Sequence, residues 1–196
     1  TRLRPLTEQS PKPLMPLWGI PLIERTLRKL EDWGVGEVVV NLHWRADRLR
    51  AYLQSRKGKA AIVFSEEKEI LGTGGALRPL AGRFDGPFWI VNADVAWSIE
   101  PQPFLDALDA PRAWAASWLD PRRGPRTVEA DRRGRVTCFR SMEPGIHGTY
   151  TFCGLTLATP EIFKYLPDKA FCTLVEVFEN AMAEGRLVQG VAAPKC

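Results

Sequence analysis

The sequence has no apolar run near the ~18 residues that a membrane-spanning helix needs. Its first residues, Thr-Arg-Leu-Arg-Pro-Leu-Thr, are not a secretory signal. It has two histidines, His43 and His147, and four widely spaced cysteines, Cys138, Cys153, Cys172 and Cys196, with no C-x-x-C pair. Neither a zinc site nor a disulfide framework is indicated, and reduced structural thiols in a soluble, cytoplasmic protein are the expectation. Glycine and proline stand at an ordinary 16 each, while nine Phe and seven Trp supply apolar bulk. Collagen-like, low-complexity and disordered classes are therefore excluded. Twenty-seven Lys and Arg against 23 Asp and Glu leave a net charge of only +4, which suits anionic small molecules as well as nucleic acid. The cations of interest cluster in one short loop and not along a stripe, which argues against nucleic-acid binding. With no internal repeat and no long linker, residues 1–196 read as a single domain.

The hydrophobic period switches repeatedly between 3.6 and two. Residues 20–33 read as a helix with Leu22, Ile23, Leu27, Leu30 and Trp33 on one face; on it Glu24 and Arg28 form an i,i+4 pair expected to be solvated. A strand at 37–42, a helix at 46–54, a strand at 60–64 and a short helix at 74–80 follow, then the continuous apolar strand 88–91, FWIV. Such two-sided strands belong in parallel sheets covered by helices. Later segments at 113–119, 127–131, 135–139 and 150–158 read as strands, the middle two forming a hairpin, and a helix spans 174–183. The tryptophans fall mostly on apolar faces, where core packing is favoured over base stacking. The fold class is α/β: a doubly wound, mixed, mostly parallel sheet of Rossmann-like type with helices on both faces and a late antiparallel part. Ligands of such sheets sit beyond the carboxyl ends of the strands.

Four segments can carry chemistry; the last of them, TYTFCG (149–154), sets small and hydroxyl groups on a strand and says little alone, while three stand out. TRLRPLTEQSPKPLMP (1–16) sets Arg2, Arg4 and Lys12 among four prolines, so its cations ride on a stiff backbone suited to phosphate, although a proline-rich surface loop has the same composition. SEEKEILGTGGAL (65–77) follows a strand and opens a helix; Gly72, Gly74 and Gly75 allow close approach of a ligand, and Thr73 with the helix-start amides can meet an anion or a base edge. It is neither a P-loop nor a dinucleotide fingerprint. FWIVNADV (88–95) leaves Asp94 just past an apolar strand, where a carboxylate can serve Mg²⁺, which needs one or two carboxylates plus substrate phosphates.

The order of these segments resembles the sugar-1-phosphate nucleotidyltransferase family, whose opening signature is G-x-G-T-R-x-x-P-x-T followed by P-K-P. Thr1, Arg2, Pro5 and Thr7, then Pro11, Lys12 and Pro13, match it; LGTGGAL (71–77) matches the base-binding loop, VNAD (91–94) the N-x-D metal segment, and FCGLTLATPEIF (152–163) the acceptor-side strand. The resemblance implies in-line attack of a sugar 1-phosphate on the α-phosphorus of a nucleoside triphosphate, with pyrophosphate leaving and a nucleotide sugar formed. It implies Arg2 and Lys12 as the catalytic cations, Asp94 as the Mg²⁺ ligand, Gly72, Thr73, Gly75, Asn92 and Glu67 on the nucleotide, and Gly154 and Glu143 on the sugar. Glu67 can accept a hydrogen bond from uracil or guanine, which favours UTP or GTP over CTP. The family's leading glycines and its second, W-x-D-x-G-T-like aspartate segment are not in this sequence, so residues are expected to be missing at both ends. FRSMEPG (139–145) has Glu143 and Pro144 without the Lys of the family's E-K-P. Two other readings remain: a non-catalytic nucleotide- or sugar-phosphate-binding regulatory subunit, and a glycosyltransferase of similar architecture, which usually shows D-x-D where this chain has N-x-D. Oligomeric state is left open.

Overall fold

In the computed structural model, which describes residues 10–192, the chain divides into two units: Thr1–Ile70 with Ala93–Trp97, and Leu71–Asn92 with Ser98–Cys196. In the first unit, β1 (Pro16–Leu17) and β2 (Ile20–Pro21) form an antiparallel hairpin across Trp18 and Gly19, both at positive φ, the geometry of a tight two-residue turn. Helix α1 (Leu22–Asp32) follows directly, burying Ile23, Leu27 and Leu30. Then come β3 (Glu37–Leu42), α2 (Ala46–Ser55) and β4 (Ala61–Glu66); β3 and β4 pair in parallel from Glu37↔Ala61 to Leu42↔Glu66. The core is Ile23, Leu27, Val40, Leu42, Leu49 and Leu53, each such side chain worth about 1.5–3 kcal/mol when buried. Leu14 and Ala93 pack against this same core.

The Glu24–Arg28 pair is not a solvated one. Glu24 is 7% exposed and accepts hydrogen bonds from Arg28 (2.6 Å), Arg56 (2.7 Å) and Tyr52 (3.3 Å). Arg56 also grips Glu31 with both terminal nitrogens (2.6 and 2.9 Å), and Glu31 accepts the amides of Lys59 and Ala60. The helical spacing pointed only to Arg28; the partners on the following helix and loop are invisible to an i,i+4 rule.

The second unit holds α3 (Gly72–Gly75), β5 (Phe88–Val91), α4 (Gln102–Leu108), β6 (Ala113–Asp120), β7 (Val128–Ala130), β8 (Val136–Cys138), β9 (Thr149–Ala158), α5 (Leu174–Ala183) and β10 (Leu187–Ala192). Its six-stranded mixed sheet runs β10-β6-β9-β7-β8, with β5 also on β9; β10 and β6 are parallel and the remaining pairs antiparallel. The expected hairpin is β7–β8. The apolar run 88–91 differs from expectation: its partner is β9, antiparallel, and its two-sidedness comes from Phe88 and Ile90 on the core face with Trp89 edge-on to Phe104 on the other. Sequence periodicity passes over α4, too short to repeat its one fully buried residue, Phe104, and β10, interrupted by Gly190. Helix α5 starts on a reciprocal cap between Thr173 and Glu176. Trp114 is fully buried, but Trp18 and Trp44 are 85% and 60% exposed, each under an arginine guanidinium (Arg25 and Arg45). These two are the exceptions to tryptophans that lie mostly on apolar faces: a turn tip and a loop leave nothing to bury them.

Candidate active site

Lys12 sits in a single 3₁₀ turn, Lys12–Leu14, fixed by Pro11 before it and Pro13 within it, with the amides of Leu14 and Met15 donating back to Pro11 and Lys12. Two residues on, Leu14 is pinned to the first unit's core, and Ala93, next to Asp94, is pinned to the same core. These anchors explain why two residues 82 positions apart meet: the Lys12 ammonium donates to Asp94 Oδ2. Their side chains are 48% and 29% exposed, so the pair is open to solvent and worth about 0–1 kcal/mol. An anionic ligand can draw the cation off at little cost.

Glu67 follows the carboxyl end of β4, beside the end of the parallel strand β3. Its amide donates to Leu42 O (3.0 Å), its carbonyl lies 3.1 Å from His43 Nδ1, and its carboxylate accepts Asn41 Nδ2 at 2.9 Å. Asn41 was not singled out from sequence, where an Asn inside EVVVNL carries no signal; the parallel register, placing Asn41 opposite Ser65, is what brings it near.

The glycine segment is used differently from the expected anion cradle. The amides of Gly74 and Gly75 donate to one carbonyl, that of Cys172, at 3.0 and 3.1 Å, so these helix-start groups are occupied. A Cβ on Gly72, Gly74 or Gly75 would meet the carbonyl oxygens of Cys172, Thr173 or Ala170 at 2.5 to 2.7 Å. The small residues thus let residues 170–173 lie against the turn, while Thr73 faces solvent. Cys172, buried and reduced, was visible only as an isolated thiol.

Asn92 and Gly154 are brought together. Asn92 N–H donates to Gly154 O at 2.8 Å, and a Cβ on Gly154 would run into the Asn92 side chain, 2.7 Å from its Cγ. Gly154 lies at φ +71 where β9 is bulged: Leu119 and Ser117 of β6 face Phe152 and Thr156, so one β6 residue opposes three of β9. Bulges gather beside functional sites because they re-aim the chain. In the same bulge, burial first, then the Asp120 charge, push the Cys153 thiol up to about 11, away from the thiolate form. Glu143 is exposed in the loop before β9, its amide donating to Ser141 Oγ. Arg2 lies outside the described residues. Among the described residues no group of three His, Cys, Asp or Glu could hold a metal, and no helix is long and apolar enough to cross a membrane. Chemically, the first unit offers a displaceable cation beside a carboxylate and an acceptor carboxylate at a strand end; the second, taken by itself, offers a bulged strand packed on the Asn92 side chain.

The sequence model of the family described as Nucleotidyl transferase matches residues 1–140. N-acetylmuramate alpha-1-phosphate uridylyltransferase of Caulobacter vibrioides is 32% identical over 216 residues, covering 98% of this chain and 84% of its own length. Probable mannose-1-phosphate guanylyltransferase 1 of rice, Oryza sativa subsp. japonica, is 28% identical over 95% of this chain, which spans only 55% of that relative. Among solved structures, a putative glucose-1-phosphate thymidylyltransferase from Bacillus anthracis superposes with a TM-score of 0.80 at 16% identity, over 98% of this chain and 82% of that one, a likeness of fold.

Proposed function

The chain belongs to the nucleotidyl transferase family, as a sugar-1-phosphate nucleotidyltransferase, and from that membership we propose that it moves a nucleoside monophosphate from UTP or GTP to a sugar 1-phosphate. A phosphate oxygen of the sugar 1-phosphate bonds to the α-phosphorus, the bond from that phosphorus to the bridging oxygen of the β-phosphate breaks in line, and pyrophosphate leaves. Such a transfer asks the protein for positioning and for neutralisation of charge, not for a covalent intermediate. The observation that carries the reading is the Lys12–Asp94 pair, a cation and a carboxylate held together by two anchors on one core. Lys12 leaves Asp94 for the phosphates of the bound triphosphate; Arg2 takes the leaving pyrophosphate.

Asp94 fits a Mg²⁺ site of the kind that takes most of its ligands from substrate, since its carboxylate is accessible and its partner is an exposed, exchangeable lysine. When bound, the ion would neutralise phosphate charge, with Asp94 as the protein ligand among the described residues. Glu67, which takes a hydrogen bond from Asn41, accepts an N–H of uracil or guanine; Gly72, the exposed Thr73 and Asn92 line the nucleotide, Gly75 being packed under residues 170–173; Gly154 and Glu143 serve the sugar. UTP with an N-acetylmuramate-type acceptor has the stronger support, from the relative with the higher identity and fuller coverage. The test is pyrophosphate release with Mg²⁺ across UTP, GTP, CTP, ATP and dTTP, each against a panel of sugar 1-phosphates. Release requiring one triphosphate and one sugar phosphate together is the expected result. No release with any pair, while a triphosphate still raises Tm, favours the regulatory-subunit reading.

A further inference from the structure

The turn that follows β6 in the second unit is fastened from several sides. The Asp120 carboxylate, 8% exposed, accepts the amides of Arg122 (2.7 Å) and Arg123 (3.1 Å) through Oδ1. Thr151 of β9 donates its hydroxyl to Arg123 O (2.5 Å) and accepts the Arg126 amide (2.8 Å) on the same oxygen. Arg126, at φ +47, closes the loop by donating from Nη1 to Pro121 O at 3.2 Å, and Gly145 N–H donates to Arg126 O at 3.2 Å. Gly124, at φ +77, lies so close to Thr151 that a Cβ would come within 2.8 Å of its hydroxyl oxygen. Pro121 and Pro125 stiffen what remains. None of these bonds uses the guanidinium groups of Arg122 or Arg123. Both side chains are exposed, and among the described residues neither has an acidic partner.

Sheet topology puts this turn on the same edge as Asn92. β5 and β6 both run antiparallel to β9, so their carboxyl ends point the same way; Asp120 is opposite Thr151, and Asn92 bonds Gly154, three residues along β9 and roughly 10 Å away. Gly145, from the loop that carries Glu143, is tied to the same turn.

We propose that Arg122 and Arg123 form the binding site for a second anionic group of the acceptor, a carboxylate on the sugar apart from its 1-phosphate. The inference rests on the acceptor being a sugar 1-phosphate, as argued above. Guanidinium forks on two consecutive residues of a fixed turn suit the bidentate geometry of a carboxylate, and the ordered backbone lowers the entropy cost of bringing them to it. A sugar seated at Gly154 reaches them with one substituent. The enzyme would then choose acidic over neutral sugar phosphates.

The deciding experiment compares kcat/KM for N-acetylmuramate 1-phosphate with that for N-acetylglucosamine 1-phosphate, which lacks the ether-linked carboxylate. In Arg122→Ala/Arg123→Ala the ratio of the two should fall at least about tenfold, whereas Arg132→Ala/Arg133→Ala, which removes equal charge from the β7–β8 turn, should leave it where it was. An unchanged ratio in the first variant, or an equal fall in both variants, overturns the proposal. Should the unaltered enzyme turn over neither sugar phosphate, the nucleotidyl-transfer reading fails instead. Calorimetry with N-acetylmuramate 1-phosphate then decides this one: binding weakened by Arg122→Ala/Arg123→Ala supports it, and binding unaffected refutes it.

Discussion

Glu24, Glu31 and Arg56 are nearly sealed from solvent, with side-chain exposures of 10%, 9% and 6%, whereas Lys12 and Asp94, in the same unit, stand at 48% and 29%. The sealed cluster is satisfied several times over: Arg56 serves two carboxylates, and Glu31 also takes two backbone amides. The open pair has one charged bond, between side chains held by cores rather than by each other. A buried ion pair cannot let go without stranding a charge, so it suits joining α1, α2 and the loop before β4. An exposed pair exchanges partners cheaply, as the proposed transfer of Lys12 to a phosphate requires.

That contrast breaks most visibly in Arg56→Ala, which leaves Glu24 and Glu31 buried with their main cation gone. A loss of about 3–5 kcal/mol is expected in urea unfolding, with Arg56→Lys in between because it keeps the charge and loses the fork. A loss under about 1 kcal/mol would mean that the cluster relaxes into water and is not structural.

Lys12→Ala and Asp94→Ala should do the reverse. Each is expected to lower turnover at least about a hundredfold, the effect of removing an electrostatic contribution of ~3 kcal/mol, while shifting the urea midpoint little. Near-normal rates in both variants would remove the pair from the reaction.

Acid sharpens the same comparison at smaller amplitude. Hydrogen bonding by Arg56 outweighs burial and, helped by the amides of Ala60 and Lys59, holds the Glu31 carboxyl down at about 2. Burial pushes Glu24 up, but hydrogen bonds from Arg56 and Arg28 leave it below its ordinary value. Lys169, with the Thr173 cap, holds Glu176 at about 2. Folded values below unfolded ones mean that this stabilisation is complete above about pH 4.5 and drains away as the pH falls towards 2. Tm should drop through that window, and less steeply in Glu31→Gln; identical slopes would exclude Glu31 as a source.

Legibility from sequence follows the same division. Strand 37–42, strand 88–91 and helix 174–183 are found with their observed bounds because each is a long apolar or strongly periodic run with clear stops. Lys12 and Asp94 were legible one at a time, from prolines around a cation and a carboxylate past a strand; their meeting needed the shared core. The Arg56 network was missed because its members span α1, α2 and a loop, and local spacing reports only Arg28. The glycines at 72–75 were noticed for the right property, closeness, but the backbone that comes close to them belongs to residues 170–173.

Glu67, at the end of β4, belongs to the same unit, and its carboxylate accepts a hydrogen bond from the neutral amide of Asn41. A neutral amide helps to fix the direction of a carboxylate, which suits the proposed role of accepting a base N–H. Glu67→Gln keeps the shape and adds an NH₂ that can donate to N3 of cytosine, so discrimination of UTP or GTP against CTP should fall by about tenfold, the weight of one hydrogen bond matched against one mismatched. Asn41→Ala, which removes one donor to the carboxylate, should weaken the same discrimination by a few-fold and leave Tm nearly unchanged. Competition kinetics with paired triphosphates reads both. If Glu67→Gln leaves the ratio untouched, the strand-end carboxylate belongs with the structural groups; if only Asn41→Ala moves it, the base is read by another group that the β3 end positions.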